Sequence, residues 1–80
     1  MTQIEKLIRK ARESPGNVRY TELVKILTRI GRYEFNNQAG SHCTYSRQGQ
    51  HLLTLTATGG LAKVEEVKKV VARLEEEGLI

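Results

Sequence analysis

The chain has 80 residues, of which 39% are hydrophobic and 28% charged, and its formal net charge is +4. This length allows one domain, residues 1–80, with a modest core, and the composition is typical of a folded chain rather than a disordered one. Apolar runs are at most two or three residues long and no apolar stretch follows the N-terminal charges, so we expect neither a membrane span nor a secretory signal.

The cysteine content indicates the cellular compartment of the protein, and the charge distribution indicates the kind of partner that it binds. The only cysteine, Cys43, excludes an internal disulfide and is typical of a reducing, cytoplasmic location. Residues 1–50 carry nine Lys and Arg against four Glu, whereas residues 51–80 carry four against five. A basic surface favours a polyanionic partner such as RNA, and an acidic final segment can contact another protein. Basic charge alone does not assign a nucleic-acid role.

Two helices are predicted before any strand. Thr2 and Glu5 have the spacing of a capping box, and the helix that they begin should end at residue 13 or 14, ahead of Pro15. A second helix is predicted from Thr21, as its N-cap, to about residue 30, with Gly31 as the residue that terminates it.

From residue 32 the hydrophobic period changes from 3.6 to 2, which predicts strands. A final amphipathic helix follows the glycine pair at residues 59–60 and ends at Gly78. The predicted strands cover residues 32–36, 42–47 and 52–57, with a turn at 37–40 and a tight reversal at 48–50.

These elements predict an α+β domain in the order α-α-β-β-β-α, with a three-stranded antiparallel sheet. So short a chain cannot cover both faces of the sheet, so the helices should pack on one face. A loop of odd length, or a bulge, at 48–50 is needed to place Tyr45 opposite Leu53. The alternation then directs Tyr33, Phe35, Cys43, Tyr45, Leu53, Leu55 and Ala57 inward, and His42, Thr44, Ser46, Thr54 and Thr56 outward.

His42 is the candidate for chemistry. It follows Gly40 and Ser41, begins a strand and should project from the uncovered face of the sheet. An imidazole can both take and give a proton near neutral pH, which RNA cleavage through the 2′-hydroxyl requires. Cations would hold the phosphate as charge builds up on it, and the basic candidates are Arg32, Arg47 and Lys63. The alternative is an ordinary polar residue at the start of a strand.

Other chemistry has weaker support in the sequence. Cys43 follows His42 in a strand, so the two side chains point to opposite faces and a thiolate pair is not expected. His42 and His51 lack the further ligands of a zinc site, and Gly59-Gly60 lacks the lysine of a phosphate-binding loop. We therefore expect no metal and no cofactor.

The order of these features resembles the HicA family of toxin–antitoxin systems. The resemblance covers residues 18–79, with residues 1–14 as an additional N-terminal helix. It rests on the segments ELVKILTRIG, RYEFNNQAGSH and LTLTATGG, and its most specific element is a helix, a glycine, an aromatic strand, a turn and then Gly-Ser-His.

This resemblance implies a fold similar to the double-stranded-RNA-binding domain and a metal-independent ribonuclease that cleaves mRNA. It assigns the catalytic role to His42, and the site would include Ser41 beside it. It also implies a HicB-type antitoxin protein that covers the active surface, and hence a hetero-oligomer. Members of the family often have a second histidine where this chain has Cys43, and a Pro-x-His pattern where it has Thr56 and Thr58.

Two alternatives remain open. One is an RNA-binding module of the same fold without catalysis, which would recognise A-form shape through phosphates and 2′-hydroxyls. The other is a protein-interaction domain whose exposed sheet receives a partner.

Overall fold

A computed structural model describes residues 2–48 and 51–80 of the chain. The fold is α+β, with three helices and a three-stranded antiparallel sheet in the predicted order α-α-β-β-β-α. A single 3-10 turn, Pro15–Asn17, joins the first two helices. The elements are α1 (Gln3–Glu13), α2 (Tyr20–Arg29), β1 (Glu34–Ala39), β2 (His42–Arg47), β3 (His51–Thr56) and α3 (Val64–Glu76).

Helix α1 begins and ends where the sequence predicts. The Glu5 backbone N–H donates to the Thr2 hydroxyl (3.2 Å), and the Thr2 backbone N–H donates to the Glu5 carboxylate (3.3 Å), which completes the capping box. The last helical hydrogen bond runs from the Ser14 N–H to the Lys10 carbonyl at 2.7 Å, directly before Pro15.

Helix α2 begins one residue earlier than predicted, and Thr21 is not its cap. Its N-cap position is Arg19, whose backbone N–H donates to the Glu22 carboxylate at 2.9 Å. The Lys10 ammonium of α1 lies 2.9 Å from the same carboxylate and ties the two helices together. The hydrogen bond from Arg19, and then that from Lys10, lower the pKa of Glu22 below its ordinary value near 4.5.

Replacement of Glu22 by glutamine should lower stability at neutral pH and reduce its dependence on acid. A carboxyl whose pKa is lowered by folding stabilises the fold above its ordinary pKa, and that contribution is lost as the pH falls through the lower folded value. The difference between wild type and Glu22→Gln should therefore shrink below about pH 4.5. Urea denaturation at pH 7 and pH 3 measures it, with the exposed Glu13→Gln as control. A difference that does not change with pH would contradict this assignment.

Gly31, the second residue after α2, is a glycine because of packing. Gly31 is buried, and a Cβ on it would lie 2.7 Å from the Leu27 carbonyl oxygen and 2.9 Å from side-chain carbons of Leu74 and Tyr33. The left-handed conformation expected at this helix end falls instead on the next residue, Arg32, whose φ is 58°. A non-glycine residue in that conformation is mildly strained.

Strand β1 runs from residue 34 to 39 rather than from 32 to 36 as predicted, and the turn predicted at 37–40 is wrong except for Gly40. The strand runs to Ala39, and only Gly40 and Ser41 separate it from β2, with Ala39 paired to His42. Gly40 has a φ of 62°, as the first loop position of a tight two-residue hairpin requires. The register shifts between Phe35 and Asn37, where one extra residue forms a bulge.

The register of β2 and β3 agrees with the prediction. Tyr45 pairs with Leu53, and Arg47 pairs with His51, so a connection of odd length separates the two strands. The reversal predicted at 48–50 lies outside the described residues except for Gln48, whose φ is 55°.

The core lies between the sheet and the helices. The predicted inward residues of β2 and β3 are buried, and the hydroxyl oxygens of Tyr20 and Tyr45 lie 3.2 Å apart. Burial, together with this hydrogen bond, raises the pKa of Tyr20 above its ordinary value. The core comprises Ala11, Val18, Leu23, Ile26, Leu27, Tyr33, Cys43, Tyr45, Leu53, Leu55, Ala62, Val67, Val70 and Leu74.

Phe35 is the exception to the predicted inward set, because it is 57% exposed. It pairs with Tyr45 across the strands, so both rings leave the sheet on the same side, and they meet edge to face at 5.9 Å. β1 is an outer strand of the sheet, and at that edge the neighbouring ring covers only part of Phe35. Ala57, also predicted inward, is half-buried.

Candidate functional site

The hairpin between β1 and β2 presents the candidate histidine. His42 is exposed and is the first residue of β2, directly after the Gly40-Ser41 loop. Hydrogen bonds hold this loop from both sides: the Gln38 amide donates to the Gly40 carbonyl (2.8 Å), and the Ala57 N–H donates to the Ser41 carbonyl (2.7 Å). The imidazole therefore stands on a well-connected turn rather than on a long loop.

The face of the sheet that carries His42 is polar. Cross-strand pairing places Thr44 beside Thr54, with their hydroxyl oxygens 3.4 Å apart, and Ser46 beside the exposed Leu52. Hydroxyl groups can hydrogen-bond to sugars and phosphates, whereas base stacking requires aromatic rings. This surface suits contacts with a nucleic-acid backbone.

At the His42 end of the sheet, α3 is attached to β3 through Glu66. Its carboxylate accepts two hydrogen bonds from Thr56, one from the backbone N–H and one from the hydroxyl, both 2.8 Å long. Thr56 is the cross-strand partner of His42. The sequence does not indicate this contact, because a glutamate in the first turn of a helix is expected there simply to interact with the helix dipole.

Three of the predicted site residues lie at this corner of the fold. Ser41 is exposed in the loop before His42, and Lys63 is exposed and immediately precedes α3. The Lys63 carbonyl accepts from the Glu66 N–H at 3.0 Å, so the backbone of Lys63 lies beside the residue that contacts Thr56. Lys63 is the predicted cation that the fold brings to the histidine end of the sheet.

The two predicted arginines lie at the other end. Arg47 is the last residue of β2, five residues from His42, which corresponds to about 17 Å along a strand. Arg32 lines a shallow pocket there together with Glu34, Arg47 and Gln48. The fold therefore separates these two arginines from His42 rather than gathering them around it.

The Arg47 side chain already makes several contacts within the protein. Its guanidinium binds the Glu77 carboxylate at 2.6 and 3.1 Å, donates to the Gly31 carbonyl at 3.1 Å, and lies 5.2 Å from the centre of the Tyr33 ring. The Tyr33 hydroxyl donates to Glu77 at 3.1 Å and accepts from Arg73 at 3.2 Å. This network joins the end of α3 to the sheet.

Replacement of Glu77 by glutamine should destabilise the fold by about 1–3 kcal/mol, because a half-buried guanidinium loses its charged partner. Thermal or urea unfolding measures the loss. Glu76→Gln removes the same charge from the neighbouring, exposed position and should change stability by less than about 0.5 kcal/mol. Equal losses in the two variants would show that net charge matters here and the ion pair does not.

The described parts of the chain contain no candidate site for metal binding or for thiol chemistry. Within residues 2–48 and 51–80, no three His, Cys, Asp or Glu side chains are grouped so that they could hold a metal ion. Cys43 is buried in the core, on the opposite face from its neighbour His42. Over the same residues, no helix has the length and apolar character needed to cross a membrane.

The geometry thus offers one candidate site, formed by His42, Ser41 and Thr56 on the open face of the sheet, with Glu66 and Lys63 beside it. Comparisons of the chain with protein-family models, with curated proteins and with solved structures give no match.

Proposed function

We propose that this protein is a metal-independent ribonuclease that cleaves mRNA, and that it is the toxin of a HicA-like toxin–antitoxin system. The observation that carries the proposal is the exposed His42 on a hydrogen-bonded hairpin, at one end of an uncovered polar sheet face. The resemblance of the Gly-Ser-His segment and its surroundings to the HicA family supports it.

In the proposed reaction His42 takes the proton of a ribose 2′-hydroxyl. The 2′-oxygen then forms a bond to the adjacent phosphorus while the bond from phosphorus to the 5′-oxygen breaks. His42 returns the proton to that 5′-oxygen, and the products end in a 2′,3′-cyclic phosphate and a 5′-hydroxyl. One imidazole can perform both proton transfers because it is an acid and a base in turn.

The surrounding residues would contact two different parts of the RNA, the reacting phosphate and a phosphate further along the strand. Ser41 and Lys63, at the histidine corner, would bind the reacting phosphate as charge develops on it. Arg32 and Arg47, at the far end of β2, are suited to a phosphate several nucleotides away. Arg47 would contribute mainly through the shape of this pocket, because Glu77 already binds its guanidinium.

The partner in this proposal is a HicB-type antitoxin that covers the open sheet face and forms a hetero-oligomer with the toxin in the cytoplasm. A protein that occupies this face would block RNA from His42 directly.

Incubation of the purified protein with RNA in the presence of a chelator tests the activity. We expect fragments that end in a 2′,3′-cyclic phosphate, and no cleavage where the nucleotide before the scissile bond is 2′-deoxy. Intact RNA after prolonged incubation with folded protein, or cleavage that requires an added metal ion, would exclude this mechanism.

The separation of Arg32 and Arg47 from His42 favours a second candidate, an RNA-binding module without catalysis. Such a module would bind RNA through backbone contacts along the polar face. Its affinity should fall steeply with salt, should not depend on His42, and should be accompanied by no cleavage products.

A further inference from the structure

The contact between Thr56 and Glu66 determines whether the threonine hydroxyl can donate or accept a further hydrogen bond. A threonine hydroxyl has one hydrogen to donate, and the Thr56 hydroxyl donates it to the Glu66 carboxylate at 2.8 Å. The second oxygen of the same carboxylate accepts the Thr56 backbone N–H at 2.8 Å, which holds the two residues in register. The Thr56 oxygen can therefore only accept a further hydrogen bond.

His42 is the nearest residue across the sheet. The backbone N–H of Thr56 points to Glu66, and the neighbouring Ala57 N–H bonds to the Ser41 carbonyl, so His42 and Thr56 form a pair without mutual backbone hydrogen bonds. In such pairs the Cα atoms are only about 4.5 Å apart and both side chains lie on the same face. Side chains of such cross-strand pairs can hydrogen-bond to each other, so rotation about the His42 side-chain bonds can bring the imidazole to the Thr56 oxygen.

A histidine that acts as a base needs one ring nitrogen with its lone pair towards the substrate. The other nitrogen must then carry the hydrogen, and an acceptor that binds this N–H selects the tautomer and orients the ring. The strand on the other side of His42 offers only Ala39 at the paired position. On the edge side of β3, the first turn of α3 adds the Glu66 carboxylate, which binds Thr56 directly.

We propose that Thr56 is the group that orients His42, and that Glu66 is a positioning residue that keeps the Thr56 oxygen an acceptor. This inference rests on the proposed ribonuclease function, in which His42 is the base.

Four variants test the proposal. Thr56→Val removes the hydroxyl and keeps the shape, Thr56→Ser keeps the hydroxyl, and Glu66→Gln removes the charge that holds it. Glu65→Gln is the matched control, because it removes an exposed carboxylate from the same helical turn. Circular dichroism and thermal unfolding establish that each variant is folded.

Two measurements are made on each variant. The first is the tautomer of the His42 ring, from its ¹⁵N shifts at alkaline pH with His51 as the internal reference, which does not depend on activity. The second is the rate of RNA cleavage across pH. In Thr56→Val and Glu66→Gln we expect mixed tautomers and a kcat lowered on the order of tenfold with little change in KM. Thr56→Ser should restore the single tautomer and most of the rate that Thr56→Val loses, and Glu65→Gln should behave as wild type.

The outcomes separate this inference from the function on which it rests. A single tautomer that persists in Thr56→Val overturns the orienting role, even if the wild-type protein cleaves RNA. A tautomer preference that depends on Thr56 in a protein that cleaves no RNA supports the contact and overturns the ribonuclease. Loss of rate in Thr56→Ser equal to that in Thr56→Val would also overturn the inference, because the hydroxyl would then have no role.

Discussion

Replacement of His42 by alanine is expected to reduce RNA cleavage by a factor of about 10² to 10⁴, the usual contribution of a general acid–base group. Induced expression of the wild-type protein should stop growth, and the variant should relieve this arrest. Stability should change by less than about 0.5 kcal/mol, because His42 is exposed and lies outside the core. Gel assays with purified protein measure the first effect and thermal unfolding the last.

The control for this experiment is His51→Ala, which removes the other histidine of the chain. Cleavage by this variant should match the wild type. If His42→Ala remains equally active and equally toxic, the catalytic assignment is wrong, and the non-catalytic RNA-binding function becomes the better explanation of the polar face.

Replacement of Gly31 by alanine should produce a large loss of stability. The added Cβ would lie 2.7 Å from the Leu27 carbonyl oxygen and 2.9 Å from the Leu74 and Tyr33 side chains, and all three of these residues belong to the buried core. Overpacking of this kind costs about 1–3 kcal/mol, which lowers the melting temperature of a domain of this size on the order of 10 °C.

Gly59→Ala is the matched control for Gly31→Ala, because nothing lies within 4 Å of a Cβ added at Gly59. Calorimetry or thermal circular dichroism should show little change in that variant. A Gly31→Ala protein as stable as wild type would mean that α2 and α3 can move apart at this position without cost, contrary to the close packing described above.

The sequence was sufficient for the elements that depend on local interactions. The capping box at Thr2 depends on local hydrogen bonds, and the end of the helix before Pro15 depends on local steric clashes. Both ends of α1 were therefore predicted to within one residue. The alternation of Tyr45, Leu53 and Leu55 likewise predicted the register of β2 and β3, because a slip by one residue would expose the whole inward set.

The errors occur where a distant contact decides the local structure. The segment at 37–40 has the composition of a turn, yet pairing with β2 keeps it in the strand as far as Ala39. Phe35 has the correct alternation but lies on an outer strand that leaves it exposed. Gly31 was predicted as the residue that terminates α2, but a glycine is required there because a Cβ would lie 2.9 Å from Leu74, a contact that the local sequence does not indicate.

By itself, the sequence determined the α+β order, the open polar face and the position of His42 upon it, because hydrophobic periodicity encodes which side of each element is buried. Only the tertiary structure decided which charges surround the histidine. It placed Arg32 beside Arg47 at the far end of β2 and brought Glu66 to Thr56. The physical reason is that a solvated charge has no periodic signature, so its neighbours are known only once the sheet and helix α3 have packed together.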